Sequence, residues 1–151
     1  MRHKDFCVIL NETMYIQRSD FMNNAVKFLE EAGTYYLATC DGNLPRVRPF
    51  GTVLWYKDRL YIQTGKVKAV SRQLHENPAA EICAFKDGKW IRISGSLLCD
   101  DDREARKAML DKYPHLRTMY NEDDGNTEVW YFQGAVAVIS SFTEAPETII
   151  L

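Results

Sequence analysis

The chain has 151 residues, 46% of them hydrophobic and 26% charged, with a formal net charge of −2. That balance fits one folded domain, excludes a disordered chain, and lacks the basic excess of a dedicated nucleic-acid binder. Apolar runs of only a few residues provide no transmembrane helix, and the opening MRHKDFCVILNETMYIQR lacks the form of a signal peptide. A cytoplasmic protein is expected, one domain over 1–151, with residues 1–20 as an N-terminal extension of unassigned role.

In chain order, SDFMNNAVKFLEEAG predicts a helix, capped by Ser19 or Asp20 and ended by Gly33. TYYLATC predicts a strand, followed by a turn at Asp41–Gly42–Asn43. RVRPFGTVLWY predicts a long buried strand with a bend at Gly51, and KDR turns it into the strand LYIQT. KAVSRQLHEN predicts a short helix closed by Pro78. AEICAFK and KWIRISGSLLCD predict a hairpin about Asp87–Gly88. Asp100 to Asp102 offer caps for the helix REARKAMLDKY, which Pro114 stops. HLRTMYNEDDGN predicts a loop or frayed turn, TEVWYFQ and AVAVISSF two last strands, and TEAPETIIL a tail.

Hairpin connections prevail over β-α-β alternation, so the expected class is mainly β (α+β), an antiparallel barrel of about six or seven strands with about three flanking helices. No G-x-G-x-x-G occurs, and TGK lacks the remaining residues of a P-loop. Cys7, Cys40, Cys83 and Cys99 form no C-x-x-C pair, and His3, His75 and His115 show no ligand spacing, so no metal site is expected. Cys40 and Cys83 are expected to be buried thiols. The aromatic residues, three Trp, eight Tyr and seven Phe, are numerous enough to supply a subunit interface.

Charge is concentrated in one stretch. Arg46, Arg48 and Phe50 share one side of their strand; a solvent-facing role suits Arg46, and Arg48 has either an anion or a carboxylate such as Glu81 as partner. Lys66 and Lys68 sit at a helix start, where the dipole favours an anion rather than lysine. Thr64 and Ser71 add hydroxyls, and Pro49 leaves its strand free to lie against something else. In combination these features describe a pocket for a flat, phosphorylated, partly apolar ligand.

GNLPRVRPFG, LYIQTGKVKAVSRQLHENP, AEICAF, KWIRISGSLLCDDDREARKAMLDKYPHL and EVWYFQGAVAVISSF follow one another in the order and spacing of a known family. From about Phe21 to Phe142 the chain resembles the pyridoxamine 5′-phosphate oxidase-like family of FMN-binding split β-barrels, its short bacterial members above all. The resemblance implies a homodimer with FMN at the subunit interface. It implies that Arg48, Pro49 and Phe50 run along the flavin, that Thr64 lies near the ring or ribityl chain, and that Lys68, Ser71 and Arg72 lie near the phosphate. It further implies that Trp90 with Arg92, or Trp130, closes over the ring from the other subunit. The C-terminal arginine segment of the vitamin B6 oxidase is missing, which argues against that substrate. The implied activity is that of an FMN-dependent oxidoreductase, a flavin reductase or nitroreductase-like enzyme with a small-molecule electron donor and acceptor. The alternative is an FMN carrier or sensor without turnover. Deazaflavin and haem are weaker alternatives, haem because no histidine is expected beside a pocket. A flavin-free scaffold has the same composition. No side chain stands out as an acid or base.

Overall fold

The computed structural model describes residues 24–151. The expected cap at Ser19 or Asp20 and the extension 1–20 lie outside the described residues. Helix α1, described over 24–32, buries Ala25, Val26 and Leu29. It stops at Gly33, whose φ of +71° only glycine adopts freely and whose amide closes the last turn on Leu29 and Glu30.

The strands follow as β1 (Tyr35–Asp41), β2 (Leu44–Phe50), β3 (Leu54–Tyr56) and β4 (Arg59–Gly65). After α2 (Ala69–Glu76) come β5 (Ala79–Lys86) and β6 (Lys89–Asp100). Then α3 (Arg103–Lys112), a 3-10 turn (Pro114–Thr118), β7 (Thr127–Ser141) and β8 (Glu147–Ile150) complete the chain. All strand pairs are antiparallel, in the order β2-β1-β5-β6-β7-β4-β3, with β8 also on β7. The sheet curls into a split β-barrel. Leu37, Ile62, Ile82, Ile91, Ile93 and Trp130 fill its interior, and α1 and α2 contribute Leu29 and Leu74.

Four expectations change. The long strand of 46–56 breaks into β2 and β3. Thr52 and Val53 between them are buried, and their backbone groups bond elsewhere: the Tyr35 hydroxyl donates to the Thr52 carbonyl at 2.6 Å, and the Val53 amide donates to the Tyr113 hydroxyl at 3.0 Å. Gly51 suits the break, since a Cβ there would stand 3.3 Å from the Gly33 carbonyl, a tight contact. β2 is an exposed edge strand rather than a buried one. The two strands expected after Asn126 are one strand of 15 residues. It bends at Gly134, φ +61°, where the register with β6 shifts between Ser94 and Ser96, as at a bulge. Finally, the tail holds β8, paired with Val136 to Ile139.

The cysteines differ as well. Cys83 is exposed and Cys40 half-buried, because β5 turns Ile82 and Ala84 inward and thus Cys83 outward.

Candidate functional site

The site forms where β4 hands over to α2. Thr64 is 2% exposed, and its Oγ1 has no hydrogen-bond partner among the described residues. Such a buried hydroxyl is costly unless something satisfies it. The next residues turn tightly. Asn126 holds them, its carbonyl accepting from the Lys66 amide at 2.7 Å and its Oδ1 from the Val67 amide at 3.2 Å. Gly65 admits this contact: a Cβ would meet Asn126 at 3.2 Å and the Tyr120 ring at 3.3 Å. Asn126 is placed in turn by Asp124, whose carboxyl accepts from the amides of Asn121, Asn126 and Thr127. Burial pushes the Asp124 carboxyl up, and these bonds more than offset it, holding it at about 2.

Helix α2 then begins without a side-chain cap and without an acidic residue in its first turn. Lys68 is the N-cap residue, and its ammonium lies 5.7 Å from the centre of the Tyr120 ring. Neither Lys66 nor Lys68 has a carboxyl partner among the described residues. Lys66 lines a neighbouring cleft of acidic residues, so the helix dipole and Lys68 are what leave positive charge at the start of α2, a few residues after the Thr64 hydroxyl. This donor set fits a phosphate.

The other expected residues are distributed around this turn. The Arg48 guanidinium points along the sheet to α2. It donates from Nη1 to Thr39 Oγ1 at 2.6 Å and to the Leu37 carbonyl at 3.2 Å, and from Nη2 to Gln73 Oε1 at 2.6 Å. Burial, with repulsion from Arg46 second, lowers its pKa, yet a guanidinium remains charged. Arg48 does not pair with Glu81, which Arg92 holds at 2.7 Å. Arg46 is solvent-facing, 3.5 Å from Asp41. Pro49 and Phe50 lie on β2, whose outer edge no strand covers among the described residues. Ser71 donates to Glu128 Oε2 at 2.6 Å, and Arg72 pairs with Asp41 at 3.0 Å and Glu76 at 3.1 Å. Trp90 is half-buried on the outer sheet face, its ring 5.1 Å from that of Phe142, whereas Trp130 is a core residue. Thr64, Lys66 and Lys68 thus share one turn of the chain, while Arg48 and Ser71 bond to neighbouring residues in partly or fully buried positions and Arg72 forms exposed ion pairs.

Gln73 and Asn126 escaped the sequence reading. Gln73 did leave a signal: it is a polar residue at the apolar spacing of Val70 and Leu74, and it is 2% exposed. Beyond α2 a cleft of about 540 Å³ opens between His75, Cys99, Asp101, Glu122 and Glu128. A histidine therefore does adjoin a cavity, contrary to expectation. Burial, then Glu128 and Asp101, push the Cys99 thiol up to about 11.

The fold and this turn define an antiparallel split β-barrel with an anion-receptive helix start. A family model described as pyridoxamine 5′-phosphate oxidase matches residues 21–135. The chain belongs to that family of split barrels. Among solved structures, a NimC/NimA family protein of Clostridium acetobutylicum is 43% identical, with a TM-score of 0.82 over 86% of this chain and 93% of that one. A pyridoxamine 5′-phosphate oxidase-related FMN-binding protein of Nostoc punctiforme is 17% identical, TM-score 0.59, covering 87% and 95% of the two chains. A heme-binding protein of Mycobacterium smegmatis is also 17% identical, TM-score 0.63, covering 81% of this chain and 57% of that one. The last two likenesses show the fold alone. No curated protein matches the chain. Among the described residues, no helix is long and apolar enough to cross a membrane.

Proposed function

We propose that the protein binds FMN at the interface of a homodimer and works as an FMN-dependent oxidoreductase, flavin-reductase or nitroreductase-like, on a small molecule. The observation that carries this reading is the β4–α2 turn, where, among the described residues, the buried Thr64 hydroxyl has no partner and α2 starts without a side-chain cap, at Lys68. Lys68, with the first amides of α2 and the Thr64 hydroxyl behind them, would hold the phosphate. Ser71 and Arg72 fix α2, one through Glu128 and the other through Asp41, and so aim its start at the phosphate. Arg48 fixes the same helix through Gln73. The free edge of β2 at Pro49 and Phe50 offers backbone groups to the polar rim of a flat ring.

A second copy of the chain completes the site. The outer sheet face exposes Tyr36 at 53%, Val47 and Phe85 at 64%, and Ile150 at 69%, more apolar surface than a sheet that faces water usually carries. Trp90 stands in register with Phe85 on that face, so pairing two copies buries it and brings it to the partner's flavin.

Bound FMN supplies reversible electron and hydride transfer. The chain's own residues hold the phosphate, orient the ring and, once paired, exclude water from one of its faces. The non-catalytic alternative, an FMN carrier or sensor, is separated by one assay. The FMN-loaded dimer is mixed with NADH or NADPH and then with a nitroaromatic or free flavin acceptor. Multiple turnovers support the enzyme; oxidised flavin that stays oxidised with either donor supports the carrier.

A further inference from the structure

Three potential metal ligands from three elements meet at the inner end of the cleft: His75 in the last turn of α2, Cys99 on β6 and Glu128 on β7. Their ligand atoms all lie within 4.8 Å of one another. Glu128 is 9% exposed and held in one orientation. Its Oε2 accepts from Ser71 Oγ at 2.6 Å and from Trp130 Nε1 at 3.2 Å. That leaves Oε1 turned toward His75 Nε2, 3.5 Å away. The imidazole packs against Trp130, ring centres 4.7 Å apart at 64°. Support of a ligating carboxyl by neighbouring donors is the usual outer arrangement of a metal site.

We propose that His75, Cys99 and Glu128 bind a zinc-class divalent cation. Ligands around tetrahedral zinc stand roughly 3.3–3.8 Å apart, so closure asks for shifts on the order of 1 Å. His75 and Cys99 are exposed and can make those shifts by side-chain rotation, while Glu128 stays in place. The mixed nitrogen, sulfur and oxygen set suits zinc and disfavours magnesium or calcium, which prefer oxygen alone. Asp100, Asp101, Glu122 and Asp123 line the same cleft and outnumber its cations Lys66 and Arg106, which makes the approach attractive to a cation. The last turn of α2 points the negative end of its dipole at the site. With three protein ligands, the fourth position opens to the cleft and takes water. The ion would clip α2 to β6 and β7.

The test uses the full chain, stripped with a chelator and dialysed against limiting Zn²⁺, with metal and flavin content measured on the same samples. One equivalent of zinc per chain is expected. His75→Ala and Cys99→Ser, both at exposed positions, should each weaken binding at least tenfold, with flavin content unchanged. Co²⁺ substitution should show a thiolate charge-transfer band that Cys99→Ser abolishes. Failure of the wild-type chain to take up stoichiometric zinc, or wild-type affinity in either variant, overturns the proposal. Flavin content reports separately on the FMN reading, so the two can fail independently.

Discussion

Arg48 and Gln73 are joined by a 2.6 Å hydrogen bond, Nη2 donating to Oε1, which ties the edge strand β2 to α2. Thr39 closes the triangle, its hydroxyl donating to the same Gln73 oxygen at 2.7 Å. Arg48, for which the sequence left an anion or a carboxylate open, is a strut that seats the helix. Arg48→Ala should lower the unfolding free energy by about 1–2 kcal/mol, the range for charged hydrogen bonds reduced for partial exposure. Arg48→Lys should recover little of it, because an ammonium cannot span Thr39 and Gln73 as the fork does. Arg46→Ala, at an exposed pair, should stay within about 0.5 kcal/mol. Urea denaturation of the three variants checks the contrast, and equal losses at positions 46 and 48 would refute it.

Lys68 is the direct test of the phosphate site. Lys68→Ala should weaken FMN by about 1.5–3 kcal/mol, some tenfold to a hundredfold in Kd, and riboflavin much less, since riboflavin carries no phosphate. Fluorescence titration with both ligands measures this, and an equal effect on the two would place the phosphate elsewhere.

Asp124 links pH to the same turn. Its folded-state carboxyl titrates at about 2, below its ordinary value of 3.8. A depressed acid contributes fully above the ordinary value and loses its contribution as pH falls through the folded one. Asp124→Ala should therefore cost about 1 kcal/mol at neutral pH, a modest figure because the group is largely exposed. The gap between variant and wild type should narrow from about pH 4 to pH 2. A gap that persists at pH 2 would assign the loss to packing rather than charge.

Gly95 sits at the bulge between β6 and β7; a Cβ there would stand 3.0 Å from Ala135 Cα. Backbone cannot retreat as a side-chain tip can, so Gly95→Ala should destabilise the fold by about 1–3 kcal/mol. Thermal unfolding shows whether it does. Gly88→Ala tests a different cost: nothing crowds that position, but its φ of +75° strains any side chain.

What was legible in the sequence was local. β6 appears with both expected ends because its alternation is regular and Asp87–Gly88, both at positive φ, signals the turn before it. α3 was legible from Asp102, which accepts from the Glu104 amide at 2.9 Å. The break at Gly51 was not, because it depends on Tyr35 and Tyr113 capturing backbone groups from distant elements. β8 was hidden because four residues after Pro146 carry too little pattern to distinguish a strand from a tail. At the candidate site, the placing of Lys66 and Lys68 at a helix start was legible from spacing, whereas the burial of the Thr64 hydroxyl was not. The inward turn of Arg48, and the meeting of His75, Cys99 and Glu128, depend on tertiary packing that sequence spacing does not record.

The most direct measurement is the visible spectrum of the purified full chain, followed by mass identification of whatever heat releases. FMN in the β4–α2 turn predicts a yellow protein with flavin absorption, a released species with the mass of FMN, and recovery of the spectrum when FMN is returned to the stripped chain. A colourless protein that leaves the fluorescence of added FMN unchanged would contradict the account.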